Sequence, residues 1–154
     1  MSKGKSGHES IEVLLVEDNP GDARLAVEAF KDDEAKTLTR LYRVADGVQA
    51  MEFLRQENDY ADAPRPNIIL LDLNLPHKDG REVLAEIKAD PELKMIPVIV
   101  MTTSHAEQDI LESYKLQANA YLTKPIDFGR FMEAAEATKS FWFKMAELPP
   151  AKDD

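Results

Sequence analysis

The segment Asn67-Ile68-Ile69-Leu70-Leu71-Asp72 constrains the fold of this chain more than any other. Its unbroken apolar run, with no polar alternation, suits a strand covered on both faces. The run stops at a carboxylate. Leu73-Asn74-Leu75-Pro76 cannot continue it comfortably, because proline brings no N–H to a ladder. Asp72 is therefore expected at the carboxyl end of a buried strand, where open α/β sheets bind their ligands. An aspartate there can hold a metal, accept a phosphoryl group, or do both.

Four more segments read as strands: Ile11 to Val16, Leu38 to Val44, Pro97 to Met101, and Ala120 to Leu122. Between them lie stretches with helical spacing. Asp22 to about Lys31 carries Leu25, Ala26, Ala29 and Phe30 on one side. Val48 to Arg55 offers Val48, Met51, Phe53 and Leu54, and Arg81 to Ala89 offers Val83, Leu84 and Ile87. Asp90-Pro91 ends the latter. Helices are also expected over Ala106 to Leu116 and, capped by Asp127, to about Met145. Glu57 to Pro66 is a long polar connection. Strict βα alternation predicts a parallel sheet with helices on both faces. Right-handed crossovers restrict it to a few doubly wound topologies. The expected fold is α/β and flavodoxin-like, with five parallel strands in the order 2-1-3-4-5 and a switch point between strands one and three.

Composition narrows the function. The chain has 154 residues, enough for one domain with a core, and no cysteine for disulfides, thiol catalysis or Cys-based zinc sites. Its start has no apolar run of the secretory type, and no stretch approaches the roughly 18 apolar residues of a membrane span. A cytoplasmic location is the default. Acidic residues number 29 and basic ones 19, a net charge of −10. With the basic residues scattered, that field argues against nucleic acid as a partner.

The expected topology gathers polar residues from four strand ends. Glu17 and Asp18 follow strand one, Asp72 ends strand three, Thr102 ends strand four and Lys124 follows strand five. Clustered carboxylates repel one another, and a hard divalent cation relieves the repulsion. Oxygen donors without sulfur or clustered histidine favour Mg²⁺. Lys124 is a compact cation suited to a carboxylate or phosphate oxygen, and Thr102 carries a hydroxyl donor. A metal and a lysine together would make an aspartate oxygen a competent nucleophile toward phosphorus.

In these residues the chain resembles the receiver domains of bacterial two-component response regulators. The resemblance rests on Glu17-Asp18, on Leu71-Asp72-Leu73-Asn74-Leu75-Pro76 with Gly80, on Thr102, and on Tyr121-Leu122-Thr123-Lys124-Pro125. Intervals of 30 residues from Asp72 to Thr102 and 22 from Thr102 to Lys124 also match. The run from Leu70 to Leu84, with Pro64-Arg65-Pro66, Met101 to Ser104 and Phe141-Trp142-Phe143, is similar to the single-domain response regulators of cyanobacterial phytochromes. The resemblance covers about Ile11 to Phe143, and the chain is expected to divide into a flexible leader over 1–9, a receiver domain over 10–146 and a C-terminal tail over 147–154.

It also implies roles. Asp72 would accept a phosphoryl group from a sensor histidine kinase of phytochrome type. Mg²⁺ would be bound by Asp18, Asp72 and the main-chain carbonyl of Asn74, with Glu17 acting mainly through a water. Lys124 and Thr102 would each bind a phosphoryl oxygen. Thr102 and Tyr121 would form a switch, with Thr103 beside them as a possible hindrance to the ring. No separate substrate is expected, so the chain reads as a signalling module, not an enzyme. Phe141, Trp142 and Phe143 cannot share one helix face, which favours a homodimer through the last helix and tail. With no output domain after that helix, action through other proteins is expected. A haloacid-dehalogenase-like phosphatase would want a second acid where Asn74 stands. A flavodoxin would want a hydroxyl- and glycine-rich loop where Glu17-Asp18-Asn19-Pro20 stands.

Overall fold

The apolar runs become the strands of one sheet. The structure, a computed structural model, describes residues 10–31, 38–102, 114–115, 117–124, 129–131 and 133. Strands β1 (Ser10–Val16), β2 (Leu38–Val44), β3 (Ile68–Asp72), β4 (Val98–Thr102) and β5 (Ala120–Thr123) pair in the order β2-β1-β3-β4-β5. Every pairing is parallel. Helices α1 (Pro20–Lys31), α2 (Gly47–Arg55) and α3 (Gly80–Ala89), with a single 3₁₀ turn over Asn58–Tyr60 between α2 and β3, complete the described elements. This is the flavodoxin-like doubly wound sheet expected from the alternation. In its register Val16 lies beside Val44 and Leu71, and Asp72 lies beside Met101. The carboxyl ends of the strands therefore share one edge.

Strand alternation divides the core in two. Leu14, Val16, Ile69, Leu71, Val98 and Val100 pack with Met51, Phe53 and Leu54 of α2 and with Val83, Leu84 and Ile87 of α3. On the opposite face Val13, Leu15, Ile68, Leu70, Ile99 and Met101 pack with Ala23 and Ala26 of α1 and with Phe131. Residues 68–71 are fully buried, so each side chain contributes about 1.5–3 kcal/mol of apolar transfer energy.

Two inward assignments are corrected. Leu25 and Val48 are 54% and 44% exposed. Among its described side chains, helix α1 meets the sheet through the small residues Ala23 and Ala26, three apart, which leaves Leu25 about 100° away from Ala26; the side chains of Ala29 and Phe30 lie outside the described residues. Helix α2 turns Ala50, Met51, Phe53 and Leu54 inward, and Val48 falls outside that stripe. Helix α1 also begins two residues before the expected Asp22. Proline is favourable in a first turn, and the Asn19 side chain caps it by accepting from the Asp22 N–H at 2.9 Å. The expected helix over 106–116 is described only at 114–115, and the last helix only at 129–131 and 133. Asp127, Phe141, Trp142, Phe143 and the tail lie outside the described residues. No helix among those described is long and apolar enough to cross a membrane.

Capping couples the loops at the functional edge. Asp46 precedes α2 and accepts from the Gln49 N–H at 2.8 Å, while its other oxygen lies 3.0 Å from Nδ1 of His77. Asp79 and Glu82 form a reciprocal capping box on α3. Burial alone would raise the Asp46 carboxyl, but the Gln49 amide and His77 outweigh it and hold it below the usual value. A depressed folded pKa gives stability that is present above the unfolded value and lost as pH falls through the folded one. Asp46→Ala should therefore cost about 1 kcal/mol at neutral pH. In urea titrations the deficit should shrink as pH falls below about 4. A deficit that does not change with pH would contradict the ionised cap.

Candidate functional site

Three carboxylates meet at the carboxyl ends of the paired strands β1 and β3. Glu17 and Asp72 are 1% and 3% exposed, and Asp18 is exposed beside them. One oxygen from each lies within 4.8 Å of the others, an arrangement able to hold a metal ion. The donors are all carboxylate oxygens, which suits a hard divalent cation.

Lys124, just past β5, projects its ammonium into this group. Its Nζ lies 2.6 Å from Glu17 Oε1, 3.0 Å from Asp72 Oδ2 and 3.0 Å from Asp22 Oδ2. The second oxygens of Glu17 and Asp72 take backbone amides. Asn19 N–H donates to Glu17 Oε2, and Asn74 N–H donates to Asp72 Oδ1, both at 3.0 Å. Desolvation raises the Glu17 carboxyl, and Asp72 adds repulsion; Lys124 and the Asn19 amide only partly offset them. Burial alone would lower the Lys124 ammonium. Its bonds to Glu17, Asp72 and Asp22 prevail and hold it above the usual lysine value.

The backbone beneath these groups is fixed from two sides. Glu17 N–H donates to Val44 O at 3.1 Å. Arg43 of β2 donates from Nε to the Glu17 carbonyl at 3.0 Å and from Nη2 to the Asp18 carbonyl at 3.3 Å. On the β3 side, Gly80 N–H donates to Leu73 O at 2.9 Å. A Cβ on Gly80 would sit 2.3 Å from the Asp72 carbonyl oxygen, so only glycine lets the loop close this tightly.

Glu17, Asp18, Asp72 and Lys124 thus come together as the sequence led us to expect. Asn74 is exposed and adjoins them through its amide. Thr102 ends β4 one residue beyond the Met101 partner of Asp72, and its side chain lies outside the described residues. Tyr121 pairs with Val100 and packs, partly buried, against the core on the α2 and α3 face. His77 is exposed in the β3–α3 loop, while His105 is not among the described residues. Sequence reasoning missed Asp22 and Arg43. The one available signal for Asp22 was an acid in the first turn of a helix opening at the switch point. Arg43 had none.

Comparison with known proteins agrees with this geometry. Residues 13–136 match the response regulator receiver domain. The chain is 50% identical to response regulator Rcp1 of Synechocystis sp. over 139 residues, covering 90% of this chain and 93% of that protein. Among solved structures, the phosphorylated cyanobacterial phytochrome response regulator RcpA superposes with a TM-score of 0.73 at 48% identity, covering 92% of this chain and 99% of that one. The Mn²⁺-bound form of Rcp1 gives 0.72 at 48% identity, covering 91% and 99%.

The raised Glu17 carboxyl has a stability consequence whose sign is opposite to that of Asp46. A raised folded pKa means stability present below the unfolded value and lost as pH rises through the folded one. In chelator-treated buffer, Glu17→Gln should therefore raise the unfolding midpoint at neutral pH. The gain should fade as pH falls toward 4.5. Millimolar Mg²⁺ should narrow the gap by stabilising the wild type more. A Glu17→Gln protein less stable than wild type at neutral pH without divalent ions would contradict this electrostatic picture.

Proposed function

The chain belongs to the response regulator receiver domain family, and from that premise we propose that Asp72 is the carboxylate that accepts the phosphoryl group. Receivers of this family act in two-component signalling, opposite a histidine kinase. The observation that carries the assignment is the buried Asp72 carboxylate held 3.0 Å from Lys124 within a trio of acids.

In the proposed step an Asp72 oxygen attacks the phosphorus of a kinase phosphohistidine. The P–N bond breaks, its electron pair stays on the imidazole nitrogen, and an acyl phosphate remains on Asp72. Lys124 follows the new negative charge by binding a phosphoryl oxygen, and the Thr102 hydroxyl binds another. Asp18, Asp72 and the Asn74 main-chain carbonyl would hold Mg²⁺, with Glu17 acting through an intervening water. Such a cation supplies charge neutralisation to the phosphoryl oxygens, the largest requirement of phosphoryl transfer. Arg43 keeps Glu17 and Asp18 in place by holding their carbonyls.

Readout then follows the movement of Thr102, with Tyr121 turning to reshape the neighbouring face. The receiver spans 10–146, between a leader over 1–9 and a tail over 147–154, and the last helix and tail form a homodimer contact. A cytoplasmic phytochrome-type kinase is the proposed donor, since a cyanobacterial phytochrome response regulator is 48% identical over nearly its full length. The chain is a phosphoryl acceptor with slow self-hydrolysis, without a separate substrate.

Acetyl phosphate with Mg²⁺, followed by intact-mass measurement, tests the central step. One labile phosphoryl adduct is expected on the wild type, lost with chelator and absent from Asp72→Asn. An equal adduct on Asp72→Asn would overturn the assignment.

A further inference from the structure

Lys124 has a carboxylate partner that does not belong to the acidic trio. Asp22, in the first turn of α1, places Oδ2 3.0 Å from the ammonium. It is anchored there, because its own N–H donates to the Asn19 side chain at 2.9 Å. Its carboxylate also sits at a helix N-terminus, where negative charge is favoured. With a side chain 37% exposed, it is the most open of the three acids around a lysine that is itself 10% exposed.

The other two partners have a competing task. Glu17 and Asp72 belong to the trio whose oxygens lie within 4.8 Å of one another, and Asp22 does not. A divalent cation among those oxygens competes with the ammonium for the same negative charge. Its arrival would weaken two of the three bonds that hold Lys124, whereas Asp22 stands outside the trio. We propose that Asp22 is a positioning residue, which keeps Lys124 beside Asp72 while the metal draws on Glu17 and Asp72. This rests on the reading of Asp72 as phosphoryl acceptor. Asp22 touches neither the phosphoryl donor nor the reacting atoms, and it acts only through Lys124.

The alternative role for Asp22 is plain charge, one more acid repelling an anionic donor. The two roles give opposite signs. With Mg²⁺ saturating, positioning predicts that Asp22→Asn lowers the maximal rate of phosphorylation by acetyl phosphate about fivefold, the worth of a partly exposed ion pair. The half-saturating donor concentration should stay unchanged, Mg²⁺ affinity should stay within about twofold, and Asp22→Glu should recover most of the rate. Pure charge predicts a faster reaction and tighter use of the donor. A rate equal to or above wild type would overturn the proposal.

A second measurement needs no phosphorylation. In Mg²⁺-loaded wild type, the Lys124 side-chain ammonium should give a protected signal by ¹⁵N NMR, lost to exchange in Asp22→Asn. A signal equally protected in both would overturn the proposal. Should wild type take up no phosphoryl group, the acceptor reading fails, and the ammonium signal still decides whether Asp22 holds Lys124.

Discussion

The arrangement turns on one ammonium among four carboxylates. Lys124 lies within 3.0 Å of Glu17, Asp22 and Asp72, and Asp18 completes the acidic group. Glu17 and Asp72 are almost wholly buried, and carboxylates taken from water need a countercharge. Lys124 supplies it from β5, so the electrostatics of the crevice tie together the ends of β1, β3 and β5. One lysine cannot neutralise four acids. Burial raises the Glu17 carboxyl and Asp72 adds repulsion that Lys124 only partly offsets, so a further cation in the crevice would be favoured. The folded state tolerates an unfavourable cluster that a ligand relieves, a pattern typical of functional sites.

Such a cluster must be held by backbone that cannot relax. Arg43 and Val44 pin the β1 end, and the close approach permitted by Gly80 pins the β3 end. The next loop is locked in turn. A Cβ on Gly47 would meet the Lys78 carbonyl oxygen at 2.2 Å, and Asp46 holds His77, whose φ of 68° is uncommon for a residue with a side chain. The start of α2, the β3–α3 loop and β3 are therefore connected by close contacts.

Much of this was legible in the sequence because burial on both sheet faces writes itself as unbroken apolar runs. Ile68 to Leu71 and Val98 to Met101 announced β3 and β4, and alternation with helices led to the strand order. Asp72, Glu17, Asp18 and Lys124 could be found because each ends or follows such a run. Leu25 and Val48 misled because hydrophobicity does not tell which face of a short helix meets the sheet. Among the described side chains of α1, two alanines make that contact. Asp22 and Arg43 escaped because their roles depend on where a long side chain or a helix turn reaches in space. Asp22 meets Lys124 across 102 residues, and Arg43 meets Glu17 across 26. No local pattern encodes such pairs.

The central claim is that Asp72 takes the phosphoryl group within a cation site built by Asp18 and Asp72 and served by Lys124. A crystal structure grown with Mn²⁺ and beryllofluoride, a mimic of the phosphoryl group, tests it most directly. The account predicts an anomalous manganese peak bonded to Asp18 and Asp72, beryllium bonded to an Asp72 oxygen, and Lys124 in contact with a fluorine. Manganese bound away from these residues, or beryllium on another carboxylate, would contradict it.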